Sequence, residues 1–341
     1  MTGGLAHLLL SPVSALYKRE ITRRNAKFDR GEGVVTLDRP VISIGNLSVG
    51  GTGKSPTVAM VVRTLRDAGF WPAVAMRGYG SGKTAHGSSD EADEYRALFP
   101  DLPIVAQPNR TLGLIELFGT EAGERVDTVV LDDGFQHRRL ARQLDVVLID
   151  CTRCPLEDAL LPAGRLREPM DSLARAHAVI LTHAESVSDA EIEQILRAVL
   201  DVKRDLVVAV SEHAWGGLDV SGEDEPMPMS WLAGKRVVGV CAIGNPGPFF
   251  EAIKRNAGEV VGEIRLRDHD PYRGATVERV IASARDADAI VCTAKDWSKL
   301  RHVEPARWPV PVVRPGLVLR MRTGERELAE LIVRAARAGV E

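Results

Sequence analysis

The chain is short of aromatic residues: Phe, Trp and Tyr together make up 5% of its 341 residues. Extended platforms for stacking nucleic-acid bases are therefore not expected. An excess of one charge is also missing. Lys and Arg number 44 against 47 Asp and Glu, a formal net charge of −3, which gives no general attraction for nucleic acid. Only four cysteines are present, too few and too scattered for a disulfide framework, and this usage fits a reducing compartment. Cys151 and Cys154 form a C-x-x-C, but no second pair and no His pair lies nearby to complete a zinc or redox site. Cys241 and Cys292 stand singly in apolar, strand-like runs. No segment approaches the roughly eighteen continuous apolar residues of a membrane-spanning helix. Internal repeats and low-complexity tracts are lacking too. What remains is an ordinary globular composition, 45% hydrophobic and 27% charged, long enough for about two domains.

Against that background one stretch stands out: Ser48-Val49-Gly50-Gly51-Thr52-Gly53-Lys54-Ser55. It follows the apolar run from Val41 to Ile44 and precedes an amphipathic helical pattern reaching about Ala68. Strand, glycine loop and helix closing on Gly-Lys-Ser is the context of a phosphate-binding loop. Successive backbone N–H groups and the helix N-terminus face phosphate oxygens, and glycine lets the backbone come close. Lys54 reaches the β- and γ-phosphates in such a loop, and the Ser55 hydroxyl holds Mg²⁺. Ser48 stands where the general pattern has its first glycine. The bland alternative is a glycine-rich turn with a surface lysine. The flanking strand and helix favour a nucleoside triphosphate site.

Apolar runs then alternate with helical patterns. Strands are predicted at Ala73–Met76, Ile104–Ala106, Thr128–Leu131, Val146–Ile149, Ala178–Leu181 and Leu206–Val210, with helices at Asp90–Phe99, Leu112–Phe118 and Ala190–Leu200. This alternation predicts an α/β fold: a phosphate-loop NTPase-like domain whose largely parallel sheet is covered by helices. Residues 29–214 form that domain. Residues 215–234, rich in Gly, Pro and acidic groups, read as a linker. A smaller α/β domain follows over 235–341, with strands near Val237–Ile243, Val260–Ile264, Ile290–Thr293 and Val310–Val313. Pro311 demotes the last of these to an edge strand. The final helix, about Glu325 to Ala338, can cap either domain.

Asp132-Asp133 follows the Thr128–Leu131 strand, and in open α/β sheets the ligand crevice lies outside the carboxyl ends of strands. Mg²⁺ takes a few carboxylates, hydroxyls, waters and phosphate oxygens, so Ser55 with Asp132 or Asp133 is a suitable set. The alternative is a plain Asp-Asp-Gly turn. Gln136 and His137 can reach the same crevice, although His137 can equally be a loop histidine. At the N-terminus, residues 1–28 read as one helix in which Leu8, Leu9, Leu10, Val13, Leu16 and Tyr17 precede Lys18, Arg19, Arg23 and Arg24. Such a segment either lies in the interface of an anionic bilayer or packs on the domain with a solvated basic face.

Together these residues resemble the tetraacyldisaccharide 4′-kinase, or lipid A 4′-kinase, family. The match begins with Ile44-Gly45-Asn46-Leu47-Ser48-Val49-Gly50-Gly51-Thr52-Gly53-Lys54-Ser55-Pro56 and Leu131-Asp132-Asp133-Gly134-Phe135-Gln136-His137-Arg138. It continues in Arg77-Gly78-Tyr79-Gly80, in Leu161-Pro162-Ala163-Gly164-Arg165-Leu166-Arg167-Glu168-Pro169 and in Thr293-Ala294-Lys295-Asp296. The run Leu10 to Tyr17 looks like the family's membrane-associated first helix, so the resemblance spans almost the whole chain. Ser48 becomes the usual residue at its position. The family pattern is broken at Arg165, where proline is usual, and before it at Pro155-Leu156-Glu157-Asp158.

The resemblance implies transfer of the ATP γ-phosphoryl group to a sugar 4′-hydroxyl of a lipid disaccharide, with ATP and Mg²⁺ as cofactors. The enzyme would work at the cytoplasmic face of the inner membrane. It further implies catalytic roles for Lys54, Asp90, Arg167, Glu168 and His269. Asp90, in Ser89-Asp90-Glu91-Ala92, would accept the hydroxyl proton. Asp93-Glu94 is a competing alignment. His269, in Asp268-His269, would orient or tune that aspartate, and Arg167 would stabilise the transferring group. Set apart from the family, Asp90 reads as a solvated acid in the first turn of a helix and His269 as a surface histidine. Two other classes remain: a phosphate-loop kinase of a soluble metabolite, and a GTPase reading guanine through Thr293-Ala294-Lys295-Asp296.

Overall fold

A computed structural model describes residues 3–50, 52–78, 90–156, 158–268 and 270–338. The chain opens with helix α1 (Gly3–Asp29). Strand β1 (Val41–Asn46) leads through the glycine loop into α2 (Lys54–Asp67). Then come β2 (Pro72–Met76), α3 (Asp90–Leu98), β3 (Ile104–Ala106), α4 (Arg110–Phe118), the short α5 (Glu121–Glu124) and β4 (Thr128–Asp132). The series continues with β5 (Leu144–Asp150), β6 (Ala178–Thr182), α6 (Asp189–Val202) and the long β7 (Val207–Val220). After these lie β8 (Arg236–Cys241), α7 (Gly247–Asn256), β9 (Glu259–Arg265), α8 (Gly274–Ser283), β10 (Ala289–Cys292) and α9 (Ala294–Leu300). Strand β11 (Val312–Thr323) and α10 (Glu325–Arg337) complete the order.

Two compact units result, Met1–His213 with Leu319–Glu341, and Ala214–Val318. In the first, the strands lie in the order β3-β2-β4-β1-β5-β6-β7, and the pairs from β3 through to β7 are parallel. Every residue of β1, β2, β4, β5 and β6 is buried. Strands covered on both faces need unbroken apolar runs, and these are the runs visible in the sequence. The chain moves from β1 to one side for β2, β3 and β4, then crosses to the other for β5 and β6. The crevice at such a reversal is where ligands of open α/β sheets bind, and the glycine loop leaves β1 there.

Helix α2 buries Val58, Val61, Val62 and Leu65, spaced as one helical face. Helix α10 packs Leu328, Ile332, Ala335 and Ala336 into the same cluster. The last helix therefore belongs to the phosphate-loop unit and not to a domain spanning 235–341. The second unit has β11, β10, β8 and β9 side by side, in parallel pairs. Cys241 and Cys292 lie in its core as free thiols.

Two expectations change. Residues 215–234 do not form a free linker: β7 runs on to Val220, Leu218 and Met227 exchange backbone hydrogen bonds, and Leu232 is fully buried. The glycines and acidic residues hid the alternation of Leu218 and Val220. Pro311 likewise does not mark an edge, because β11 begins at Val312 and lies between β7 and β10. The missing N–H falls just outside the ladder, and the Pro311 carbonyl still accepts from the Ile290 N–H at 2.9 Å.

Candidate active site

The glycine loop is built by backbone conformation and neighbouring contacts. Gly53 caps α2 with φ +81°, a left-handed value that suits glycine, and Gly50 has φ +120°. A Cβ at Gly53 would lie 2.7 Å from the His213 ring. The Asn46 side chain donates to the Ser48 carbonyl at 2.6 Å, and the Thr182 hydroxyl donates to the Thr52 carbonyl at 3.1 Å. The Val49 N–H donates to the Arg165 carbonyl at 2.9 Å, and the Arg167 N–H to the Leu47 carbonyl at 2.7 Å. Those last two bonds lay the Arg165–Arg167 segment along the loop, across 116 positions of sequence for Val49 and Arg165. A cleft of about 550 Å³ beside the loop is lined by Cys151, Arg153, Cys154, Arg165, Ser186 and Glu191. That volume lies in the range of small-molecule sites.

Lys54, first residue of α2, and Asp133, just beyond β4, meet at 3.7 Å. The same carboxylate receives the Arg167 guanidinium at 2.8 and 2.9 Å. Asp133 has φ +52°, and its carbonyl accepts from the buried Arg110 at 3.2 Å. Burial pushes the Asp133 pKa up, but Lys54 and Arg167 outweigh it and leave the group below its ordinary value. Asp132 has the opposite balance. Burial is the largest influence and raises its pKa despite Lys54 and the 2.9 Å hydrogen bond from Tyr95. Ser55 also interacts with the Tyr95 hydroxyl. Ser55 and Asp132 thus offer oxygen donors around one phenol, and that donor set fits a hard cation such as Mg²⁺. Asp133 is already held by Lys54 and Arg167, so it fits as their counter-ion.

The family model described as "Tetraacyldisaccharide-1-P 4'-kinase" matches residues 6–334. The chain belongs to this family. A tetraacyldisaccharide 4′-kinase of Geobacter metallireducens is 36% identical over 319 residues, covering 89% of this chain and 91% of that protein. One from Koribacter versatilis is 33% identical over 339 residues, covering 95% and 98%. A crystal structure of "apo" form LpxK from Aquifex aeolicus in complex with ATP superposes with TM-score 0.76. It is 27% identical, with 97% of this chain and 99% of that chain covered. The family assignment and the α/β fold both agree with the reading of the sequence.

Other family-derived positions fare differently. Lys54, Ser55, Asp132, Asp133 and Arg167 are gathered at one end of the sheet. Gly51 and His269 lie outside the described residues, as do Tyr79, Gly80 and Ser89. Asp90 begins α3, and its side chain lies outside the description. Asp93 pairs with Arg96 at 2.9 Å on the exposed part of that helix. Glu168 is held on both carboxylate oxygens. It is buried, with one oxygen receiving Arg175 at 2.8 Å and the other Asn25 at 2.7 Å, and Arg175 lies over the Phe135 ring at 3.7 Å. Glu168 therefore braces the turn after β4. Gln136 also positions the loop, donating to the Asn46 carbonyl at 3.0 Å. Burial, with Arg110 and Arg142 nearby, holds the His137 pKa down to about 4, so that ring is neutral at physiological pH.

Tyr95 and Arg110 escaped the reading of the sequence. A tyrosine five positions into α3 carries no signal of a partner on β4, and Arg110 reads as a solvated helix start. The Thr293–Asp296 element can be assigned from its contacts. Asp296 is fully buried, accepting from the Ala242 N–H at 3.0 Å and the Thr293 hydroxyl at 2.5 Å. Its lone pairs hold α9 to the end of β8, which leaves no guanine-reading carboxylate.

Proposed function

We propose that this chain transfers the γ-phosphoryl group of ATP to the 4′-hydroxyl of tetraacyldisaccharide 1-phosphate, a step in making lipid A. The observation that carries the reading is the convergence of Lys54 and Arg167 on Asp133 beside the phosphate loop of a family of such kinases. Phosphoryl transfer needs charge held in place more than covalent chemistry. Lys54 and Arg167 are cations already oriented by one carboxylate, and turning them onto phosphate oxygens exchanges one anion for another. Mg²⁺, when bound, neutralises charge on the β- and γ-oxygens. Ser55 and Asp132 would hold it. By the family resemblance, Asp90 accepts the proton of the attacking hydroxyl and His269 shares it.

Helix α1 supports work at a membrane surface. Among the described residues no helix is long and apolar enough to cross a membrane. One face of α1 docks on the site: Ser14 donates to the Leu160 carbonyl, Tyr17 to the Arg167 carbonyl and Asn25 to Glu168. Outside that face Leu10, Val13 and Leu16 are exposed, the last at 68%, as are Lys18, Arg19, Arg23 and Arg24. Arg24 also donates to the Gln136 carbonyl at 2.8 Å. Apolar side chains next to a basic cluster suit an anionic leaflet. The helix would bring the site to acyl chains that cost about 0.8 kcal/mol per CH₂ to expose to water. In this reading the enzyme sits at the cytoplasmic face of the inner membrane.

The test is transfer of radiolabelled γ-phosphate from ATP, with Mg²⁺, onto tetraacyldisaccharide 1-phosphate in mixed micelles. Label in the lipid product is expected. Label reaching only soluble sugar acceptors, or transfer supported by GTP but not ATP, would overturn the reading. Asp90→Ala and His269→Ala should each lower kcat, and together cost no more than the worse single change.

A further inference from the structure

We propose that His183, Glu185 and His213 form a metal site of their own, for a divalent ion of the zinc class, against the back of the phosphate loop. The ligand atoms of the three side chains lie within 4.8 Å of one another. None of the three belongs to the phosphate-binding or Mg²⁺ set described above.

Local backbone structure brings them together. His183 follows the last residue of β6 in a left-handed conformation, φ +58°, uncommon for a residue with a Cβ and therefore a pointer to a built feature. The turn carries Glu185 back toward β7. One Glu185 oxygen accepts the His213 backbone N–H at 3.1 Å, and the other lies 3.5 Å from His183 Nδ1. His213 stands on β7, whose neighbour is β6. The two imidazole rings face each other at 4.1 Å with 30° between their planes. His213 Nδ1 is buried and has no hydrogen-bond partner, a cost that a buried polar atom seldom carries without a reason.

The donor set decides the ion. Two imidazole nitrogens with one carboxylate suit zinc, cobalt or nickel, whereas magnesium and calcium take all-oxygen sets. Three protein ligands leave a fourth position for water. Zinc-ligand bonds of about 2.0–2.2 Å ask for donors somewhat closer than the outer spacing here, a gap that side-chain rotation can close. The His183 and Glu185 side chains remain 22% and 12% exposed, which gives an ion a way in. Because the His213 ring lies against Gly53, occupancy of this site would be linked to the loop's affinity for nucleotide, and the coupling would be reciprocal.

The test uses the full chain stripped with a chelator and titrated with Co²⁺ in excess Mg²⁺, which fills the oxygen-rich site. One equivalent of Co²⁺ is expected, with the intense visible absorption of a four- or five-coordinate ion. His183→Ala, His213→Ala and Glu185→Gln should each weaken uptake at least about tenfold. X-ray absorption on the Zn²⁺-loaded wild type should show two imidazole ligands, and this needs no variant to fold. Wild-type protein that takes up no Co²⁺ under excess Mg²⁺, an all-oxygen octahedral spectrum, or histidine variants binding as tightly as wild type would each overturn the proposal.

Discussion

Asp132 and Asp296 begin as the same kind of residue. Each is a buried carboxylate near the carboxyl end of a buried parallel strand, Asp132 as the last residue of β4 and Asp296 in the first turn of α9 after β10, and each lies in a segment that resembles the family's. Their surroundings separate them. Asp296 spends its lone pairs on the Ala242 N–H and the Thr293 hydroxyl, fixing α9. Asp132 accepts from one phenol, faces Lys54, and is pushed up in pKa by burial. A carboxylate committed to backbone donors holds the fold. One kept in a cationic pocket at some cost to stability is available for a metal or a substrate. Motif position alone does not distinguish them.

The largest expected effect lies on the Asp132 side of that contrast. Lys54→Ala should lower kcat by about 10³-fold or more with an unchanged melting temperature, because the ammonium acts on phosphate and supports no core. Near wild-type kinase activity in that variant would remove the site assignment.

The contrast itself is sharpened by two substitutions measured side by side. Asp132→Asn should cost about 10²-fold in kcat yet raise the melting temperature in Mg²⁺-free buffer at neutral pH. The sign follows from the raised pKa: native Asp132 binds its proton more tightly than the unfolded chain does. Its ionised form therefore detracts from stability above the folded pKa, and the deficit fades as pH falls from the folded pKa toward the ordinary value of 3.8, below which it is gone. Asp296→Ala should do the reverse. It strands the Ala242 N–H at a cost of about 1–3 kcal/mol, lowering the melting temperature while kcat in the folded protein holds. If both variants lose stability equally, the division between the two carboxylates fails.

A smaller effect is expected at α1. Val13→Glu with Leu16→Glu should raise the apparent KM for the lipid several-fold and leave KM for ATP in place. Reversing Lys18, Arg19 and Arg23 should act in the same direction, more at low salt than at high. Unaltered binding to anionic liposomes would reduce the helix to a structural cap.

The smallest effect is a change in acid sensitivity. His137 is held neutral by burial, with a pKa lowered from 6.5 to about 4. The unfolded chain takes up that proton first, so stability falls as pH drops through 6.5 and the loss levels off near 4. His137→Gln should make the melting temperature less steep over that window, by a few degrees at most. An unchanged slope would mean that His137 carries its proton in the folded protein.

The family, the phosphate loop and the α/β alternation are legible from the residues alone. These are local: a glycine-lined strand-to-helix turn, apolar runs of strand length and amphipathic helices are written in neighbouring residues. Tertiary structure alone decided what each polar group in the crevice is for. Glu168 became a brace when Asn25 and Arg175 took both its oxygens, and Asp133 a counter-ion when Arg167 arrived along the loop. Tyr95 joined Asp132 across 37 positions of sequence, and His183 and Glu185 met His213 from a neighbouring strand. Hydrogen bonds and ion pairs of this kind depend on distance in space. Periodicity and spacing along the chain report which face a residue is on, not which partner will claim its lone pairs.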